Sequence, residues 1–154
     1  MKTFNITRPL VAATGTGTVL ACYDFITEAL KKEGVEVDWE AGPQKRSATQ
    51  QKMIELESQL EASILTTLYA AWLMDKGKPN NLESSISKAK GGDVCRGGAQ
   101  LAIELLGAIG ITHDQLVEKW FRDARITDIY EGTGEINRLV TARAILNYSS
   151  SDLM

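Results

Sequence analysis

A chain of 154 residues, 44% hydrophobic and 24% charged, is long enough to bury one core and has the composition of an ordinary globular domain. Its formal net charge of -3, with basic residues scattered rather than clustered, lacks the electrostatic footprint of a nucleic-acid binder, and no such partner is expected. Cys22 and Cys95 lie in apolar helical patterns without metal-ligand spacing, which predicts buried free thiols, a reducing compartment and no metal site. No run of about 18 apolar residues and no charged-then-apolar leader stands out, so neither a membrane span nor secretion is indicated and a cytoplasmic location is expected.

Prolines occur only at positions 9, 43 and 79, where the apolar periodicity changes, and the pattern between them is that of long helices with short links. The first helix is predicted to start with Thr7 as cap and Pro9 in the first turn, to bury Leu10, Ala13, Val19, Tyr23, Ile26 and Leu30, and to end at Gly34. Residues 35–47 have no sustained period and read as a connection. From about Ala48 to Lys76 the steps Met53, Leu56, Leu60, Ile64, Leu68, Ala71 and Leu73 predict a long amphipathic helix, stopped by Gly77 and Pro79. Asn80 or Asn81 then caps a third helix carrying Ile86, Val94, Leu101, Leu105 and Ile109. Its Gly91, Gly92, Gly97, Gly98 and Ala99 suit close approach of a neighbour, so this helix is expected to be central. A shorter helix follows from about Leu116 to Tyr130. Thr133 caps the last one, which runs to about Asn147 with Ile136, Leu139, Val140 and Leu146 inward. The sum is an all-α, up-and-down helical bundle over residues 1–148, with residues 149–154 expected to be a disordered tail.

Between the last two helical patterns lies Tyr130-Glu-Gly-Thr133, a carboxylate in a glycine-bounded break. Gly132 opens backbone conformations closed to other residues and leaves room beside Glu131, Tyr130 can wall a pocket, and Thr133 with Glu135 opens a helix whose free N–H groups can meet polar ligand atoms. A carboxylate in water is a weak base, whereas one desolvated between helices is a stronger one. For the tripeptide alone, a solvated loop carboxylate beside an ordinary cap is the better account of the residues.

The surrounding residues add to this. The run Arg122-Asp-Ala-Arg-Ile-Thr-Asp-Ile-Tyr-Glu-Gly-Thr-Gly-Glu-Ile-Asn-Arg138, extended back to Val117 and on to Arg143, resembles the C-terminal signature of the acyl-CoA dehydrogenases, flavoenzymes that desaturate acyl thioesters. Phe4-Asn-Ile-Thr-Arg-Pro9 resembles the start of that family's C-terminal helical domain, and the likeness runs from Phe4 to Leu146. The resemblance implies FAD as cofactor and Glu131 as the base that takes the α-proton of an acyl-CoA. It implies Thr133 and Glu135 near the flavin, Tyr130, Gly132 and Arg8 beside the substrate, and Arg143 near the coenzyme A moiety. It also implies an electron-accepting flavoprotein as partner and assembly into homo- or hetero-oligomers.

Two stretches depart from the family pattern. Where the family has an arginine that meets the flavin diphosphate of a neighbouring subunit, this chain reads Glu33-Gly-Val-Glu-Val-Asp38, so that contact is absent, supplied by another residue such as Lys45 or Arg46, or located on a different subunit. At Ile103-Glu-Leu-Leu-Gly-Ala108 the family has glutamine for Glu104 and glycine for Ala108, so the implied cofactor contacts of Glu104, Gly107 and Ala108 are altered. Gly15-Thr-Gly17 lacks a preceding strand and a third glycine, and reads as a packing feature rather than a dinucleotide fingerprint. The family's N-terminal helical and β-domains do not occur in the chain. It is therefore expected to be inactive alone and to need those domains or a partner subunit. The reading from another class is a non-catalytic oligomerisation or partner-binding module with the same fold.

Overall fold

The computed structural model describes residues 2–149 and 152, and within them the protein is five α-helices and two short 3₁₀ turns, with no strand among the described residues. The helices are α1 (Lys2–Lys32), α2 (Ala48–Asp75), α3 (Asn81–Leu106), α4 (Val117–Thr127) and α5 (Gly134–Leu146). The α3 helix is central and touches every other helix. The all-α bundle and its links agree with the sequence reading. Gly34, Gly77 and Gly107 all take positive φ just past helix ends, where a side chain would be strained.

Pro9 does not open α1 but lies inside it, and Thr7 is not its cap. A proline there cannot donate to the carbonyl four residues back, that of Asn5. Asn80 fills the gap: its Nδ2 donates to the Asn5 carbonyl at 3.0 Å and to the Ala70 carbonyl at 3.2 Å. Asn80 therefore stitches α1 to α2 instead of capping α3 with its side chain. The start of α2 is closed by a reciprocal capping box between Ser47 and Gln50.

The core is built by Val19, Cys22, Ile26 and Leu30 of α1, Met53, Leu56 and Leu60 of α2, Val94, Cys95, Ala99 and Ala102 of α3, and Val117 and Ala124 of α4. Cys22 and Cys95 are buried and free. The buried face of α1 includes Val11 and Ala12, whereas Leu10 and Ala13 face out. Along α2 the buried stripe continues from Leu60 through Ser63, Thr67, Ala70 and Leu73, leaving Leu68 exposed. In α5, Gly134 and Asn137 are buried, while Ile136, Leu139 and Leu146, expected inward, are exposed.

Small residues explain these shifts. A Cβ on Gly91 would lie 2.8 Å from the Ala12 Cα, and one on Gly98 would lie 2.5 Å from Val19 Cγ1. The helices thus cross almost backbone to backbone, and the inward faces are chosen for size as much as for apolarity. Gly15 packs in the same way against Cys95 and the Gly91 carbonyl, so Gly15-Thr-Gly17 contributes packing. Gly97 has nothing within 4 Å and serves no close approach.

By length and composition α1 does contain a stretch, within Thr3–Lys32, apolar enough to cross a membrane, contrary to the sequence reading. Much of that helix lies against α2, α3 and α4, with Val19, Cys22 and Ile26 fully buried, and a core helix meets the same criterion. Of the tail expected to be disordered, Ser149 donates from its N–H to Asp152 Oδ2 at 2.6 Å, and residues 150, 151, 153 and 154 lie outside the described residues.

Candidate active site

The chain reverses between α4 and α5 through two successive positive φ values, 60° at Glu131 and 93° at Gly132. Glycine adopts this conformation freely, whereas for a glutamate it costs on the order of 1 kcal/mol. Such a backbone persists only if its surroundings fix it, and here they do. The Gly134 N–H donates to the Asp128 carbonyl at 3.2 Å, closing the turn on itself. Asn137, fully buried one turn into α5, donates from Nδ2 to the carbonyls of Gly132 at 2.8 Å and Thr133 at 2.9 Å. Thr133 caps α5 as expected, accepting from the Ile136 N–H.

The first turns of α1 hold the carboxylate. Thr7 Oγ1 donates to Glu131 Oε2 at 2.6 Å, a length typical of a hydroxyl bonded to a carboxylate. Arg8, only 4% exposed, directs Nε toward the Glu131 carbonyl at 3.5 Å and Nη1 to Ser85 Oγ at 3.0 Å, with its guanidinium over the Phe4 ring. Burial lowers the Arg8 pKa, and the Glu131 charge opposes that shift. Glu131 itself is half-buried: anchored by one oxygen, it is not enclosed by this chain.

The remaining predicted residues fall into two groups. Tyr130, 38% exposed, Gly132, Thr133 and Glu135 share the turn and the start of α5, and Arg8 is brought to them from the other end of the sequence. The Glu135 carboxyl is held below its ordinary range, first by its own backbone N–H and then by the Thr133 hydroxyl. Arg143 lies farther along α5, roughly two and a half turns away, beside a cavity of ≈ 160 Å³ lined also by Asn81, Val140, Ala144 and Tyr148.

Glu104, Gly107 and Ala108 are not brought to the turn. Glu104 stands on the exposed side of α3, 3.4 Å from Lys52, in a groove of ≈ 470 Å³ between α2 and α3. Of the two basic residues that could replace the missing arginine, Arg46 donates to the Trp39 carbonyl at 3.0 Å. Sequence reasoning missed Thr7, Asn137, Asp128 and Lys88, all of which bear on the turn. The signal for Lys88 was its setting, since a lysine among Ser84, Ser85, Ser87, Ala89, Gly91 and Gly92 sits on a face made for burial.

The architecture and the turn define a helical domain that presents one carboxylate on a constrained reversal, gripped from a distant helix. The family model for the acyl-CoA dehydrogenase C-terminal domain matches residues 1–146, and the chain belongs to that family. It is 33% identical to the mitochondrial short-chain specific acyl-CoA dehydrogenase of Mus musculus over 146 residues, which cover 95% of this chain and 35% of that enzyme. It is 32% identical to the cyclohexane-1-carbonyl-CoA dehydrogenase of Geobacter metallireducens over 95% of this chain and 38% of that one. Among solved structures, butyryl-CoA dehydrogenase from Megasphaera elsdenii superposes with a TM-score of 0.81 at 29% identity, covering 95% of this chain and 37% of that one. A chain described with the electron transferring flavoprotein of Acidaminococcus fermentans superposes with a TM-score of 0.81 at 30% identity, over 95% and 38% of the two chains. The chain thus spans little more than a third of these relatives.

Proposed function

We propose that this domain supplies the catalytic base of a flavin-dependent acyl-CoA dehydrogenase, with Glu131 taking the α-proton of an acyl-CoA thioester. The observation that carries this reading is the glutamate held at positive φ. A strained backbone, cross-braced by Asn137 and Arg8, keeps one carboxylate in place against Thr7. A surface carboxylate without a task needs none of these restraints.

The chain's own part in the reaction is to aim and tune that carboxylate. Thr7 fixes the position of one carboxylate oxygen, Gly132 admits the Asn137 amide that braces the turn, its Nδ2 3.3 Å from where a Cβ would lie, and Arg8 supports the turn from below. Enclosure by an acyl chain and by domains outside this sequence would strip water from Glu131 and strengthen it as a base. When bound, FAD supplies the hydride acceptor, a capacity no side chain has. Near the turn, where the resemblance implies flavin contacts for Thr133 and Glu135, the first N–H groups of α5 are taken up within the chain, Gly134 by the Asp128 carbonyl, Glu135 by its own carboxyl and Ile136 by the Thr133 hydroxyl, so a polar cofactor atom would meet the Thr133 hydroxyl rather than free backbone donors. At the far end of α3 the residues do not suit the cofactor: Lys52 is paired with Glu104, and residues 33–38 carry carboxylates where the family pattern has an arginine. We further propose a cytoplasmic location and an electron-accepting flavoprotein as redox partner.

The test uses the completed protein, or this chain combined with the subunit that completes it. It should be yellow and reduce an electron acceptor with acyl-CoA, and Glu131→Gln should stop turnover while flavin stays bound. Unchanged turnover in that variant would sink the proposal. A second reading, assembly through the bundle surface, is favoured by Leu65, Leu68, Tyr69 and Trp72, exposed together on α2. A light-scattering mass equal to a single chain, with no complex formed on mixing with the completing domains, would eliminate it.

A further inference from the structure

Beneath the Glu131 turn lies a buried set of charges that the proposed proton transfer does not use. Lys88, on α3, is fully buried, with relative exposure 0%, and its Nζ has no hydrogen-bond partner. Asp128 begins the turn, and its Oδ1 is likewise buried without a partner. The Oδ1 of Asn137, whose Nδ2 grips the Gly132 and Thr133 carbonyls, is a third such atom. A lone buried ammonium or carboxylate is too costly to persist unless an opposite charge stands near.

We propose that Lys88 is a positioning residue: its buried ammonium attracts the Asp128 carboxylate, fixes the start of the turn, and so sets the backbone geometry that aims Glu131. The space for that carboxylate is made by two glycines on different helices. A Cβ on Gly92 would lie 2.8 Å from Asp128 Oδ1, and one on Gly134 would lie 2.5 Å from it. Of the other cations around the turn, Arg8 bonds Ser85 and the Glu131 carbonyl and Arg138 bonds Asp93 through Nη2, while Arg138 Nη1 also stands beside this space, 2.9 Å from where a Cβ on Gly134 would lie. Lys88 brings to this cluster a buried ammonium none of whose donors is committed elsewhere. Asp128 is the strongest charge attraction felt by Lys88, with Glu135 adding to it and Arg8 and Arg138 opposing it. The chain of contact is short: Asp128 accepts at its carbonyl from Gly134, which starts α5, and Glu131 lies between the two.

The mechanistic weight of this proposal rests on Glu131 being the base, so two readouts are needed. The first is amide hydrogen exchange in the full chain, which requires no catalysis. Lys88→Met should speed exchange of the Glu131, Gly132 and Gly134 amides about tenfold while leaving the α2 amides of Met53 and Leu60 unchanged. Adding Asp128→Asn to that variant should restore much of the protection, because the stranded carboxylate is gone. Unchanged exchange in the turn, or equal acceleration in α2, would overturn the proposal. Should Lys88→Met fail to fold, Asp128→Asn alone provides the reading, with the same opening of the turn expected and an unchanged turn fatal. The second readout is turnover of the completed flavoprotein. There kcat should fall about 10- to 100-fold in Lys88→Met with KM for acyl-CoA little changed. Loss of activity in Glu131→Gln together with an unaltered turn and kcat in Lys88→Met would refute positioning and leave the base reading intact. Retained activity in Glu131→Gln with an opened turn in Lys88→Met would refute the base and leave positioning intact.

Discussion

The two ends of α3 are built on different principles. Around Lys88 most of the helix is buried, with Ser84, Ser85, Ser87, Ala89, Gly91 and Gly92 inside, the neighbouring glycines admit backbone or carboxylate, and the Glu131 turn is tied down by Thr7, Arg8 and Asn137. Around Glu104, roughly 24 Å farther along the helix axis, the surface is an open groove with a half-exposed ion pair to Lys52. The turn at the first end is braced by residues of this chain, although Glu131 itself is only half-buried, whereas the second end is an open groove. The motif is retained where the fold itself braces it, and the departures from the family pattern at Glu104 and Ala108 fall at the open end.

The largest expected effect lies at the first end. Glu131→Gln keeps the Thr7 hydroxyl bonded to an amide oxygen and so preserves the turn, yet removes the proposed base. Steady-state turnover of the completed protein should drop by about 10²- to 10⁴-fold, with flavin absorbance unchanged. A small loss would mean that the restraints on the turn serve packing alone.

Next come two glycines on the same helix that should respond with opposite signs. Gly91→Val drives a side chain into α1, where even a Cβ lies 2.8 Å from the Ala12 Cα, and should cost about 3 kcal/mol in urea unfolding. Gly97→Ala meets nothing within 4 Å and should gain about 0.5 to 1 kcal/mol from helix propensity. Equal effects would erase the contrast between a packed end and an open one. Between these in kind, Asn137→Ala removes two bonds to the turn and should cost about 1 to 3 kcal/mol, read in the same unfolding experiment.

How far the sequence foretold this depends on what each signal measures. Hydrophobic spacing placed all five helices and caught Met53, Leu56 and Leu60, where large side chains fill the core. It misplaced the next steps, because Ser63, Thr67 and Ala70 turn inward at a close helix crossing while Leu68 stays outside. Apolarity and burial part company there, and a period of large residues follows the wrong one. In the site, Glu131, Gly132 and Thr133 were legible as a turn because glycine and a capping threonine are local signals. Thr7, Asn137 and Lys88 act across the fold, and neither spacing nor local propensity shows such contacts. Asn80 illustrates the same limit: read locally it is a cap, but its partners are carbonyls on two other helices.

Alkaline pH separates two buried groups near the centre of the bundle. Burial, helped by Cys95, pushes the Cys22 thiol from 9.0 up to about 12. Its neutral form is favoured by the fold, so its contribution is full below pH 9 and is lost as pH rises toward 12. Lys88 acts in the other direction, since burial lowers its pKa and the unfolded chain binds more protons, so its contribution rises with pH until about 10.5. Urea midpoints measured from pH 8 to 11 should fall less steeply above pH 9 in Cys22→Ala than in the unaltered chain. Lys88→Met, measured alongside, should lack the rise that precedes the fall.

The smallest effect belongs to the open end and sharpens the comparison most. Glu104 pairs with Lys52 at 3.4 Å, both side chains about half exposed, and such pairs contribute under about 1 kcal/mol. Glu104→Gln should therefore leave the unfolding curve almost where it was. It also removes a negative charge from the surface that, by family resemblance, faces the cofactor of a neighbouring subunit. In the completed oligomer, flavin retention measured by equilibrium dialysis should improve about two- to fivefold, and more at low salt than at high salt because an exposed charge is screened. Weaker retention would show that Glu104 donates a useful contact to the assembled site, and the far end of α3 would then have to be read as adapted rather than diverged.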